Sequence, residues 1–94
     1  MKKEKIDRLV EKFVNSQLSP TPQRERMRSR PIFQYFQAWC ESENINYRPY
    51  IKSLKPFARS LARFCNFVVV NGYAEFNCSI KKPPILLPKE YYNE

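Results

Sequence analysis

Histidine is absent from this 94-residue sequence, and glycine occurs once. The first absence removes the commonest general base and the commonest metal ligand together. The second excludes a glycine-rich phosphate loop. Three cysteines, Cys40, Cys65 and Cys78, form no Cys-x-x-Cys pair, and their odd number suits reduced thiols better than a disulfide framework. No apolar run approaches the ~18 residues that a membrane span needs. No apolar stretch of signal-peptide type follows the first lysines. These gaps lead to the expectation of a cytoplasmic protein that is not an enzyme, holds no cofactor and no metal, and does not enter a membrane.

Negative charge is scarce as well. Lys and Arg number 17 against 9 Asp and Glu, a net charge of +8, and no acidic residue lies between Glu43 and Glu75. That balance favours a polyanion as partner, whether DNA, RNA or an acidic protein surface. Hydrophobic residues at 43% and aromatic residues at 15% suffice for one small core.

Residues 1–18 read as an amphipathic helix, with Ile6, Leu9, Val10, Phe13 and Val14 at helical spacing and charges opposite. The prolines of "SPTP" end it. "QRERMRSR", residues 23–30, fits either a short helix or a basic linker. A second helix, capped by Ser29 with Pro31 in its first turn, should run to about Glu43 and bury Ile32, Tyr35, Phe36, Trp39 and Cys40. Pro49 and Pro56 mark two further helix starts. One is a short helix from Arg48 to Lys52; the other, capped by Ser53, runs from Leu54 to about Phe64 with Leu54, Phe57, Ala58, Leu61 and Phe64 inward.

The single glycine falls in "FVVVNGYAEF", residues 67–76. A two-residue type I′ turn needs positive φ at both central positions, which Asn71-Gly72 supplies, so the stretch reads as a hairpin. Its register pairs Val70 with Tyr73, Val69 with Ala74, Val68 with Glu75 and Phe67 with Phe76. One face then carries Cys65, Phe67, Val69, Ala74, Phe76, Cys78 and Ile80, wholly apolar, as a sheet packed on helices requires. Cys65 and Cys78 meet across the strands and are read as packed thiols.

Three helices followed by a hairpin describe an α+β winged helix-turn-helix over residues 31–82. It is preceded by an extra amphipathic helix and basic linker (1–30) and followed by an extended Pro-rich tail (83–94). Arg48, Lys52, Lys55, Arg59 and Arg63, with Ser60, form a basic stripe on the helix before the hairpin and the turn leading into it. Such a stripe suits a row of phosphates. At the hairpin tip, Asn71 and Tyr73 offer an amide and a ring to nucleic acid in place of charge. Ile6, Leu9, Val10 and Phe13 at one end and Ile85, Leu86 and Leu87 at the other are candidate contacts to a partner protein.

Phe36, Trp39 and Cys40, then Ser53, Phe57 and Leu61, then Asn71-Gly72, resemble the winged-helix domain at the C-terminus of phage, plasmid and poxvirus D5-type primase–helicases. The resemblance spans Pro31 to Lys82 and implies a nucleic-acid-binding module in mobile-element replication. The chain departs from that family in size, since no ATPase or primase domain accompanies the motif. A free-standing version is similar to the small middle proteins of staphylococcal cassette chromosome replication operons, which partner an A-family DNA polymerase. The implied partners are therefore DNA, duplex or single-stranded, and a larger replication protein such as a polymerase or helicase. An adaptor without DNA contact and a small transcriptional regulator are the alternatives.

Overall fold

The first helix, α1 (Lys2–Gln17), turns its apolar positions onto the rest of the chain. In the computed structural model, which describes residues 2–22 and 24–81, Val10 and Phe13 are fully buried in one core with Tyr35, Phe36, Trp39, Phe57 and Phe76. The Phe13 ring lies 5.2 Å from Phe36, 5.5 Å from Trp39, 6.2 Å from Tyr35 and 6.3 Å from Phe57, centroid to centroid. The helix expected as an addition is thus part of the centre, and a single core runs across residues 30 and 31.

After α1 the chain does not simply stop at the prolines. Strand β1 (Leu18–Pro20) pairs antiparallel with β5 (Cys78–Ile80), and Lys81 N–H donates to the Gln17 carbonyl at 2.8 Å. Residues 24–28 form no helix of their own, and Ser29 and Arg30 already open the next helix. Met27–Arg28 form β2, which pairs Met27 with Phe76 and Arg28 with Glu75 of the hairpin. Both pairings join residues distant along the chain.

Helix α2 (Ser29–Ser42) buries the five residues expected of it, Ile32, Tyr35, Phe36, Trp39 and Cys40. Its cap position is Arg28, not Ser29, and no side chain caps it. At the other end Asn44 takes φ 57°, Ile45 N–H donates to the Cys40 carbonyl and Asn44 N–H to that of Glu41. That pair of bonds is a Schellman ending, with asparagine in the left-handed position usually held by glycine.

No helix forms at 48–52. Tyr50 and Ile51 N–H both donate to the Tyr47 carbonyl, at 3.0 and 2.9 Å, making one turn. Propagation stops because Ser53 is extended (φ −154°, ψ 174°), and a single turn cannot recover its nucleation cost. Helix α3 (Leu54–Leu61) follows; hydrogen-bonded turns continue to Cys65. The described residues therefore hold three helices, with α1 in place of the expected 48–52 segment.

The hairpin, β3 (Phe67–Val70) and β4 (Tyr73–Phe76), has the expected register, pair for pair. Asn71 and Gly72 both have positive φ, 52° and 82°. The expected wholly covered apolar face needs correction. The sheet order is β2-β4-β3, so β4 is central and lies over α2, while β3 is an outer edge. Phe76 is buried, but Phe67 is 43% and Val69 65% exposed. The helices are too few to cover both strands. The architecture is α+β, three helices with two small antiparallel sheets.

Candidate nucleic-acid interface

Helix α3 presents Lys55 and Arg59 to solvent, and Lys52 is exposed in the turn before it. None of the three has an acidic partner among the described residues. Lys55, Arg59 and Arg63 line one open groove of about 590 Å³ between α1 and α3. The expected stripe is thus brought together over its middle. Arg48 is exposed, with its guanidinium 5.9 Å from the centroid of the Tyr47 ring.

Two expected contacts are otherwise engaged. Ser60, only 3% exposed, donates its hydroxyl to Asp7 Oδ1 at 2.7 Å, and Arg63 Nη1 pairs with Asp7 Oδ2. Asp7 on α1 thereby ties the inner side of α3. Ser60 is withdrawn from any ligand, and the Arg63 charge is offset. Buried Ser60 needs its acceptor more than half-exposed Arg63 needs its counter-charge. Asp7→Ala is therefore expected to cost about 1–3 kcal/mol in urea unfolding and Arg63→Ala below about 1 kcal/mol. The reverse order would show that the ion pair, not the hydroxyl, holds the two helices.

The partner-protein candidates divide as well. Val10 and Phe13 are core residues and cannot dock on anything while the fold is intact. Ile6 and Leu9 are half-buried against that core. Ile85, Leu86 and Leu87 lie outside the described residues.

A second basic surface was not anticipated as a site. Arg26, Arg28 and Arg30 line a cleft of about 700 Å³ with Tyr73 of the hairpin and Leu54 of α3. Glu75 takes Arg26 Nε at 3.0 Å and Arg28 Nε at 3.9 Å, while Arg28 also sits 5.7 Å from the Tyr73 ring centroid. Arg30 has no acidic partner among the described residues. At the start of α3, Leu54 lines this cleft and Lys55 the α3 groove. Asn71 and Tyr73 are exposed on the hairpin, and Tyr73 lines the cleft. The arginine density of residues 24–30 was the available signal; its placement beside the hairpin required β2.

The three thiols differ in their surroundings. Burial pushes Cys40 up to about 12 from its ordinary 9.0, with Glu41 adding to the shift. A hydrogen bond between Cys78 and Cys65 raises the Cys78 thiol, as does burial, and holds half-buried Cys65 below its usual value. Limited iodoacetamide treatment near neutral pH should label Cys65 first, by peptide mapping; prior labelling of Cys40 would contradict this. The folded chain keeps the Cys40 proton where an unfolded one loses it. Its stabilising contribution is therefore complete below 9.0 and lost as pH rises toward about 12.

No family model matches this chain, and no curated protein or solved structure is significantly similar to it.

Proposed function

We infer that this chain is a small nucleic-acid-binding accessory module of winged-helix type that serves DNA replication in a mobile element, beside a larger enzyme such as a polymerase, primase or helicase. The observation that carries the reading is the row Lys52, Lys55 and Arg59: exposed, without acidic partners among the described residues, on the helix that precedes the hairpin and the turn leading into it. The order of elements supports it. With α1 as first helix, a short strand between the first and second helices joins a C-terminal hairpin in the order β2-β4-β3, which supports a winged-helix reading. In that arrangement α3 is the helix offered to DNA, and a helix fits the major groove.

Three phosphate contacts predict that log K for a blunt duplex falls against log salt with a slope of roughly −2.7. Fluorescence anisotropy of the full chain on a labelled duplex measures it. A flat dependence, or no binding at low salt, defeats the reading. Absence of binding together with stable association with a purified replication enzyme would favour the adaptor instead, to which the exposed Phe67 and Val69 lend weight.

A further inference from the structure

The α3 groove accounts for phosphates, but it does not use Tyr73, a large aromatic residue left 63% exposed at the end of a hairpin. Tyr73 borders the cleft that Arg26, Arg28 and Arg30 also line, together with Leu54 and Ala74, and the Arg28 guanidinium lies 5.7 Å from its ring centroid. A recess lined by cations, an aromatic ring and aliphatic groups matches a ligand that is part anion and part flat ring. The first residues of α2, Ser29 to Pro31, also line it, and α2 has neither a side-chain cap nor an acidic residue in its first turn. The positive end of the helix dipole there adds to the potential that the arginines establish. Glu75 holds Arg26 at 3.0 Å and Arg28 more loosely at 3.9 Å, with the Arg28 side chain 69% exposed, while Arg30 has no acidic partner among the described residues.

We propose that this cleft captures an unpaired nucleotide of a DNA single strand, its phosphate on Arg28 and Arg30 and its base on Tyr73. A base stacked within a duplex cannot offer its face to a side chain, whereas an unpaired one can. The cleft therefore confers a preference for single-stranded or frayed DNA that the α3 stripe alone does not. This inference rests on the nucleic-acid reading above and adds strandedness to it.

The test compares two labelled 12-mers, oligothymidylate and an abasic strand with the same phosphates, alongside a blunt duplex. The wild-type chain should bind oligothymidylate roughly tenfold tighter than the abasic strand, the scale of one base stacked on an aromatic ring. Tyr73→Ala should erase that difference and Tyr73→Phe should keep it. Binding of the abasic strand by Tyr73→Ala serves as the check that the variant is folded. Arg30→Glu should weaken both 12-mers together. Equal wild-type affinity for the two 12-mers, a difference that survives Tyr73→Ala, or indifference to Arg30→Glu each overturns the proposal. If duplex binding stays salt-dependent in those cases, the proposed function stands without it. A chain that binds none of the three probes overturns both.

Discussion

Phe13→Ala is expected to lower stability by about 3–5 kcal/mol, the range for emptying an aromatic site in a packed core. Phe13 sits where α1 meets α2 and α3, and four other rings close around it. Those neighbours belong to two different helices and are held by their own packing, so the site cannot collapse to fill the space. A domain of this size has little stability in reserve. The variant should therefore melt at least about 15 °C lower, or be unfolded at room temperature. Circular dichroism through thermal and urea unfolding reads the effect. Lys12→Ala, exposed on the same helix, should change stability by less than about 0.5 kcal/mol. A loss below about 1 kcal/mol for Phe13→Ala would mean that α1 is peripheral, against the burial seen here.

Lys55→Glu/Arg59→Glu should weaken duplex binding at least about tenfold at moderate salt and make the salt slope shallower by about two. Each residue contributes one phosphate contact to the proposed face, and each reversal adds repulsion to the lost attraction. Both side chains are exposed and lack acidic partners among the described residues, so the fold has no stake in their charge. Unfolding midpoints equal to wild type would confirm that. A pair of reversals that leaves affinity and slope unchanged would remove α3 from the interface. Asp7→Ala is the useful contrast. It releases the Arg63 charge beside the same groove and should slightly strengthen duplex binding at low salt while weakening the fold.

The elements that local chemistry dictates could be read from residue types alone. Asn71-Gly72 admits one kind of tight turn, and once that turn is placed the alternation of side chains leaves a single register for residues 67–76. The helical spacing of Ile6 through Val14 and of Ile32 through Cys40 likewise marked α1 and the buried side of α2. The basic composition of residues 44–74 pointed to a polyanion for the same reason: the charge belongs to the residues, wherever they fold.

What depended on distant parts of the chain could not be read so. Strands of two or three residues, as at Met27–Arg28 and Leu18–Pro20, carry no periodicity, and their partners lie far along the sequence. Exposure of Phe67 and Val69 followed from β4 taking the central place in its sheet. Asp7 reached Ser60 and Arg63 because α1 packs on α3. Residue order alone determined the hairpin, the three helices in outline, and the sign of the surface charge, since each arises from neighbours a few positions apart. Only the tertiary structure decided which cations remain free and that a second arginine-lined cleft exists, because both depend on which surfaces the core leaves uncovered.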